Sequence, residues 1–357
     1  MKDAAKNKIR VLVADDAALM RRIIGDIIQS EEDLELVGTA FNGEDALGKI
    51  KLYKPDVVTL DLEMPKLDGI STLQRIMSED PIPVIVISSY TQQGSDKTME
   101  ALSCGAVDFV AKPLSGRREE TLGKLREVLP EKIRTASVAR LQILQKRERP
   151  KVDKAVSEPK LFPQKESGFI VAIGASTGGP RALDEILRSL PADIPAGVLI
   201  TQHMPAGFTA SLAERLNRIS PLTVREAKNG DVVLDGVALI APGGYHLKVV
   251  NKKIVLDEGV KVNHVRPAVD VMIESMAGSS YGIVAVILTG MGKDGVSGVK
   301  ALKAKNKETV VLVQDPQTAV VKGMPEAVIK AGFSDFVVPL SDVSKEVLAC
   351  LQRINNM

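Results

Sequence analysis

Short apolar runs alternate with amphipathic segments through the first 130 residues of the chain. The runs are rich in β-branched residues, and each is followed by a segment with apolar residues at helical spacing. They fall at IRVLVA (from Ile9), Leu36–Ala40, Asp56–Leu60, Val84–Ile87 and Val107–Val110. Five strand-helix repeats of this kind predict a parallel sheet with helices on both faces.

A second α/β pattern begins at Phe169. Its strands are predicted at FIVAIGA, GVLIT from Gly197, AVILTG from Ala285 and TVVLVQD from Thr309, with helices between them. The stretch from Val237 to Leu256 has apolar runs around the tight turns APGG and NKK, which favours antiparallel strands. The chain is therefore predicted to contain two doubly wound α/β domains, the second with an antiparallel hairpin.

Charge-rich sequence with three prolines separates the two patterns. We predict domains at residues 7–126 and 167–357, joined by a linker at 127–166 whose beginning is compatible with one more amphipathic helix. A length of 357 residues agrees with two domains.

Composition excludes several classes of protein. A formal net charge of +2 gives no indication of nucleic-acid binding, and the basic run in the linker has no aromatic residues among its cations. The two cysteines, Cys104 and Cys350, form neither a metal-ligand cluster nor a disulfide framework. No apolar run is long enough for a signal peptide or membrane insertion. We expect a soluble cytoplasmic protein.

Acidic, basic and hydroxyl side chains follow four of the first five strands. Asp15 and Asp16 follow the first strand, Asp61 the third, Ser88 the fourth and Lys112 the fifth. The carboxyl ends of parallel strands share one edge of a sheet, so three carboxylates converge there with a cation and a hydroxyl. Such a cluster suits Mg²⁺. The alternative is that these residues only cap loops of an α/β fold.

The motifs VLVADDAALMRR, VVTLDLEMPKLDGI, VISSY and DFVAKP resemble the flavodoxin-like receiver domain of two-component response regulators, over about residues 7–125. The resemblance implies that a histidine kinase phosphorylates Asp61. It also implies Mg²⁺ ligation by Asp15, Asp16, Asp61 and the carbonyl of Glu63, phosphate contact by Lys112, and a switch pair of Ser88 and Phe109.

The sequence Gly174-Ala175-Ser176-Thr177-Gly178 fits the G-x-S-x-G pattern of a nucleophilic serine between a strand and a helix. The same glycine-rich turn is also typical of a phosphate-binding helix start. This segment alone leaves both interpretations open.

Three histidines are available as the general base for Ser176. We favour His203, because it follows the strand GVLIT and therefore reaches the same sheet edge, whereas His246 and His264 lie in a hairpin and a loop. Asp294 follows the strand AVILTG and is the candidate orienting acid. The chain order Ser, His, Asp differs from the Ser, Asp, His order of α/β-hydrolases, which argues for an independent architecture.

The segments AIGASTGGP, TQHMP, APGGYH and LTGMGKDG resemble the catalytic domain of bacterial chemotaxis protein-glutamate methylesterases, over about residues 167–355. The resemblance implies a modified doubly wound sheet with a hairpin, and an oxyanion site that includes the main-chain N–H of Met291. It further implies hydrolysis of glutamate methyl esters, and deamidation of glutamines, on chemotaxis receptors, with no cofactor at the esterase site.

Two hypotheses compete with this interpretation. One is a non-catalytic response regulator whose output domain binds DNA or protein, although the near-neutral charge and the lack of a recognisable helix-turn-helix argue against DNA. The other is an output domain that uses GASTGG to bind a nucleotide. For the esterase, we further expect the unphosphorylated receiver to block the Ser176 edge, and phosphorylation of Asp61 to relieve that block.

Overall fold

The computed structural model describes residues 8–89, 91–112, 118–139, 165–306 and 308–356, with side chains from residue 122 onward in the third range. The chain divides into two compact units, residues 1–147 and 148–357. The division falls inside the predicted linker, most of which lies outside the described residues. None of the helices in the described ranges is long and apolar enough to cross a bilayer.

The first unit alternates strands and helices, as the apolar pattern predicts. Its elements are β1 (Ile9–Ala14), α1 (Ala18–Gln29), β2 (Leu34–Ala40), α2 (Gly43–Tyr53), β3 (Val57–Asp61), α3 (Gly69–Glu79), β4 (Val84–Ser88), α4 (Gln92–Ser103), β5 (Asp108–Ala111) and α5 (Arg118–Ser137). Side-chain caps begin several of these helices; the Asn42 side chain, for example, accepts the N–H of Asp45 before α2.

The five strands form one parallel sheet in the order β2-β1-β3-β4-β5. Strands β3 and β4 are buried along their whole length, which explains their continuous apolar sequences. The strand order changes direction between β1 and β3. In open α/β sheets, ligands bind outside the carboxyl ends of the strands at such a point.

Helix α5 continues past residue 126 into the range predicted as linker. Leu129, Ile133 and Ala136 are fully buried. Arg134 is held by two acids near the start of β2, with its Nη2 2.5 Å from Glu31 and 2.7 Å from Asp33. The packed structure of the first unit therefore includes the last turns of this helix.

Replacing Ile133 by alanine is expected to destabilise the first unit by about 2–5 kcal/mol, because the change opens a cavity in a closed core. Val138→Ala is the control, since Val138 is 74% exposed, and it is expected to cost less than about 0.5 kcal/mol. Urea unfolding of the full-length protein, monitored by amide hydrogen exchange in β1, measures the destabilisation that each change causes. Equal effects of the two changes would mean that the end of α5 is not part of this core.

The second unit contains nine strands and six α-helices within its described residues. They are β6 (Phe169–Ala175), α6 (Gly179–Ser189), β7 (Gly197–Gln202), α7 (Phe208–Ile219), β8 (Thr223–Glu226), β9 (Val237–Ile240), β10 (His246–Val250), β11 (Lys253–Asp257), α8 (Val269–Ser275), β12 (Gly282–Ile287), α9 (Val296–Lys305), β13 (Thr309–Gln314), α10 (Gly323–Lys330), β14 (Phe336–Val338) and α11 (Val343–Asn355).

Seven of these strands form a parallel sheet in the order β14-β13-β12-β6-β7-β9-β8, and β10 and β11 form the antiparallel hairpin. Strand β6 lies between β12 and β7, and the strand order changes direction beside it. The three strands that precede Asp294, Ser176 and His203 are thus neighbours. This arrangement confirms the predicted fold class.

The apolar pattern misses part of this sheet. Strands β8 and β14 at the two edges are only four and three residues long, too short to give a clear period. Strand β9 lies in the stretch predicted to be antiparallel, yet it pairs in parallel with β7. Its fully buried VALI sequence is the pattern of a central parallel strand, and only β10 and β11 form the hairpin.

Candidate functional site

Three acidic residues of the first unit meet at the carboxyl edge of its sheet. One carboxylate oxygen from each of Asp15, Asp16 and Asp61 lies within 4.8 Å of the others. Lys112 Nζ lies 2.7 Å from Asp61 Oδ2 and 3.0 Å from Asp15 Oδ2. Four of the five side chains predicted at this edge, the three aspartates and Lys112, therefore lie together.

Burial raises the pKa of Asp61 to about 6, although the charge and hydrogen bond of Lys112 act in the opposite direction. Burial also lowers the pKa of Lys112, but the charges of Asp61 and Asp15 outweigh it, and the net pKa lies above its usual value. The cluster thus holds an excess of negative charge, with Asp15 and Asp61 buried and Asp16 exposed, and a bound cation would relieve that excess.

The remaining predicted residues of the first unit surround this cluster. The Ser88 hydroxyl donates to the carbonyl of Gly94 and accepts from Thr98 Oγ1 at 2.6 Å, so it is engaged with the first turn of α4. Phe109 is buried. The N–H of Glu63 donates to Asp61 Oδ1 at 3.3 Å, and its side chain pairs with Lys97 outside the carboxylate cluster. Ligation by the Glu63 carbonyl stays a prediction.

In the second unit, Ser176 stands in the turn between β6 and α6. Its N–H donates to the carbonyl of Thr289 at 3.0 Å, and its carbonyl accepts the N–H of Gly179 at 2.8 Å and the side-chain amide of Gln202 at 2.9 Å. Gly178 has a φ of 78°, a left-handed conformation that glycine adopts without strain. The sequence therefore folds here as the predicted strand-turn-helix.

His203 leaves the neighbouring strand at the same level as Ser176. Ala175 and Gln202 are register partners in β6 and β7, and the N–H of His203 donates to the carbonyl of Ala175 at 3.0 Å. Across the described ranges, no hydrogen bond joins the Ser176 hydroxyl to the imidazole. Hydrogen bonds of this kind are often long without substrate and tighten when it binds.

Asp294 lies beside the imidazole, with 2.7 Å between His203 Nε2 and Asp294 Oδ2. Burial acts to raise the pKa of Asp294, but the hydrogen bond and charge of His203 and the N–H groups of Asp270 and Val269 outweigh it, and its pKa is lowered. An ionised Asp294 accepts a hydrogen bond from Nε2–H, which leaves Nδ1 of His203 as the basic nitrogen.

Met291 belongs to the loop that joins β12 to Asp294. Its side chain is 43% exposed. The preceding Gly290 packs directly on the serine, because a Cβ at residue 290 would lie 2.8 Å from Ser176 Cβ. The main chain next to Met291 therefore passes close to Ser176. Whether the Met291 N–H serves as an oxyanion donor stays a prediction.

The two other histidines have different surroundings. His246 is buried, with Nε2 3.0 Å from the carbonyl of Val260 and Nδ1 accepting the N–H of Ala268 at 3.2 Å. His264 is exposed in a turn with a φ of 64°.

Sequence reasoning missed several residues that support the three candidates. Gln202 holds the carbonyl of Ser176, and Thr289 Oγ1 donates to the carbonyl of Thr177 at 2.9 Å. Asn263 and Asp270 both contact the Asp294 side of the site. Gln202 and Thr289 lie at the ends of predicted strands, so the strand pattern could have identified them. Asn263 and Asp270 do not follow a central strand, so this pattern could not identify them.

Known protein families match both halves of the chain. The family described as response regulator receiver domain matches residues 11–122, and the family described as CheB methylesterase matches residues 171–347. A protein-glutamate methylesterase/protein-glutamine glutaminase 1 from Syntrophomonas wolfei is 44% identical, over 96% of this chain and 99% of its own. A relative of the same description from Halalkalibacterium halodurans is 45% identical, over 98% and 100%.

A solved structure gives a further similarity. The crystal structure of the Thermotoga maritima CheB methylesterase catalytic domain is 46% identical, covers 51% of this chain and 98% of its own, and has a TM-score of 0.49. The identity to full-length relatives alone is sufficient: the chain belongs to the protein-glutamate methylesterase/protein-glutamine glutaminase family, with a receiver domain followed by a CheB methylesterase domain.

Proposed function

We propose that the second unit hydrolyses glutamate methyl esters on chemotaxis receptors in the cytoplasm, and deamidates glutamines there, under control of phosphorylation of the first unit. The observation that carries the proposal is the 2.7 Å contact between His203 Nε2 and Asp294 Oδ2, on strands adjacent to the one that ends at Ser176. The full-length relatives support it through their names.

In the first half-reaction, His203 Nδ1 takes the proton of the Ser176 hydroxyl as the oxygen attacks the γ-carbonyl of the ester. Asp294 holds the imidazole in the Nε2–H tautomer and stabilises the imidazolium that forms. The tetrahedral oxyanion is stabilised by main-chain N–H groups, with Met291 as the predicted donor. One such donor contributes about 3–4 kcal/mol in a serine protease.

Methanol leaves with the proton that His203 returns, and an acyl-enzyme remains on Ser176. In the second half-reaction, water gives a proton to the same imidazole and attacks the acyl carbonyl, which releases glutamate and restores the serine. With a glutamine substrate the leaving group is ammonia. An amine leaves only when protonated, so His203 acts there as an obligatory general acid.

The first unit fits a receiver that takes a phosphoryl group on Asp61. Asp15, Asp16 and Asp61, together with the carbonyl of Glu63, would hold Mg²⁺, since hard carboxylate and carbonyl oxygens are the ligands this cation prefers. When bound, the cation neutralises charge on the phosphoryl oxygens. Asp61 supplies the attacking oxygen, a histidine kinase is the donor, and Lys112 pairs with the phosphate.

Ser88 and Phe109 are the proposed switch residues. The Ser88 hydroxyl now bonds to Gly94 and Thr98, and after phosphorylation it turns toward the new phosphate oxygens. Phe109 is buried on the neighbouring strand β5. Its register partner in β4 is Val86, and the partner of Ser88 is Ala111. Loss of the Ser88 contact with α4 would transmit the change to that helix.

The nucleotide-binding alternative is not favoured. A phosphate-binding turn does not need a buried imidazole-carboxylate pair beside it, whereas a serine nucleophile does.

Asp294→Asn is expected to lower the rate of methanol release from methylated receptors by about 10³- to 10⁴-fold. Both oxygens of Asp294 accept N–H groups, and an amide has only one oxygen. If that oxygen keeps the three donors to Oδ1, the NH₂ group faces the imidazole and donates to Nε2, which requires the wrong tautomer. Asp193→Asn is the matched control. Asp193 is an exposed acid in the loop before β7, at the opposite end of the strand that leads to His203. If Asp294→Asn kept more than about a tenth of the rate, the proposed role of Asp294 would be wrong.

A further inference from the structure

The Asp294 carboxylate accepts an unusually complete set of hydrogen bonds for a buried acid. Its donors are His203 Nε2 (2.7 Å) and Val269 N (2.7 Å) to Oδ2, and Asn263 Nδ2 (3.0 Å), Asp270 N (2.9 Å) and Gly295 N (3.1 Å) to Oδ1. Only two of the five come from side chains. One is the catalytic imidazole, and the other is the amide of Asn263.

Asn263 reaches the carboxylate from a tight turn. Val262 and Val265 exchange main-chain hydrogen bonds of 3.2 and 3.0 Å, and the two residues between them, Asn263 and His264, have φ values of 52° and 64°. Two central residues with positive φ define a type I′ turn, a conformation that asparagine tolerates well. The turn therefore fixes the direction of the Asn263 side chain.

Asn263 donates its second amide hydrogen to another buried acid, Asp270. Asn263 Nδ2 lies 2.9 Å from Asp270 Oδ2, while Asp270 Oδ1 accepts the N–H groups of Gly295 at 2.9 Å and Gly298 at 2.8 Å. Burial and the charge of Asp294 raise the pKa of Asp270, while the N–H groups of Gly298 and Asn263 stabilise its ionised form. Asn263 thus donates to both carboxylates, and the N–H of Gly295 also lies within hydrogen-bonding distance of both.

We infer that Asn263 and Asp270 are positioning residues for the esterase reaction: the Asn263 amide orients Asp294 toward His203, and Asp270 fixes that amide. The inference rests on the proposed function, because it concerns how the proposed acid and base are held. Neither residue needs to touch the substrate. Outer partners of this kind are worth about 10- to 100-fold in activity or affinity where they orient metal-bound histidines.

The charged and titratable groups around this network are few within the described residues. His203 faces Asp294 from the end of β7, and Asp270 faces it from α8. His246 on β10 packs against the residue before α8 through its Nδ1, with its Nε2 donating to a carbonyl. Helix α9 contributes the N–H of Gly298.

Removal of the Asn263 amide is expected to loosen the contact between Asp294 and His203. Without this donor the Asp294 side chain is less well fixed, so the hydrogen bond from His203 Nε2–H to Asp294 Oδ2 is weakened. Asp270→Asn is expected to act in the same direction, because it removes the carboxylate that fixes the Asn263 amide. A role in the fold alone would leave this hydrogen bond unchanged.

The test uses the full-length protein with Asn263→Gly, which keeps the turn and removes the amide, and with Asp270→Asn. His264→Gly is the matched control at the other central position of the same turn. Nitrogen-detected NMR follows the imidazoles, and only three histidines are present. The kcat and KM for methanol release are measured on the same samples.

For Asn263→Gly we expect a kcat lower by about 10- to 100-fold with little change in KM, and a weaker NMR signal of the His203 Nε2–H proton that is bonded to Asp294. For Asp270→Asn we expect a weaker signal of the same proton, and for His264→Gly neither effect. If Asn263→Gly leaves kcat within about twofold and the Nε2–H signal unchanged, the inference is overturned.

Asn263→Asp decides the matter should Asn263→Gly not fold. Aspartate is also accepted in this turn. It replaces the donor by a carboxylate that repels Asp294, so we expect a lower kcat and a weaker Nε2–H signal; an unchanged kcat and signal would again overturn the inference. Failure of the proposed function is distinguishable. Wild-type protein without esterase activity would refute the proposed function, whereas the Nε2–H signal of His203 reports on the network in either case.

Discussion

Replacement of Ser176 by alanine is expected to lower the rate of methanol release from methylated receptors by about 10⁶-fold, the scale seen when a serine protease loses its nucleophile. Alanine has no oxygen to attack the ester, and no acyl-enzyme forms. The side chain is small, and the hydrogen bonds that hold residue 176 come from its main chain, so the fold is expected to survive.

Ser189→Ala is the matched control for this change. Ser189 is exposed at the far end of α6, and within the described part of the chain its hydroxyl bonds to the carbonyl of Glu185. It is expected to retain the wild-type rate. A Ser176→Ala protein with activity within tenfold of wild type would exclude a serine nucleophile and revive the hypothesis that GASTGG binds phosphate.

Asp61→Asn is expected to abolish phosphorylation of the first unit altogether. Wild-type protein incubated with a small acyl phosphate and Mg²⁺ should gain up to one phosphoryl group per chain, and the variant none, because an amide is not a nucleophile toward phosphorus. The variant is also expected to lose the increase in methanol release that the donor gives wild-type protein. Intact mass and methanol release measure the two effects.

Asp80→Asn is the control, since Asp80 is an exposed acid after α3, outside the carboxylate cluster. Incorporation of phosphate into Asp61→Asn at the wild-type level would place the acceptor elsewhere. If the phosphodonor still increased methanol release by Asp61→Asn as much as by wild type, phosphorylation of Asp61 would not control the esterase.

Most of the fold follows from local pattern. The parallel strands β3, β4, β6 and β12 are continuous apolar runs, and the helices between them have a clear 3.6-residue period, so each element is visible by itself. Strands β8 and β14 are not, because three or four residues carry no period. Strand β9 has the continuous apolar pattern of a central parallel strand, but the tight turns after it favoured an antiparallel hairpin that only β10 and β11 form.

The candidate site was predictable where its residues follow strands. Ser176, His203 and Asp294 each stand just beyond a carboxyl end, and sheet geometry alone brings such residues to one edge. Asn263 was not predictable in this way. It reaches Asp294 from an isolated turn, and only the positive φ of that turn and the path of the chain after β11 aim its amide between two acids.

The central claim is that Ser176 becomes nucleophilic through His203. Its most direct measurement is the mass-spectrometric mapping of a fluorophosphonate adduct on the full-length protein, with the labelling rate determined for wild type and for His203→Gln. We expect a single adduct on Ser176 and a rate at least about 100-fold lower in the variant. An adduct on another residue, or equal rates for the two proteins, would contradict the claim.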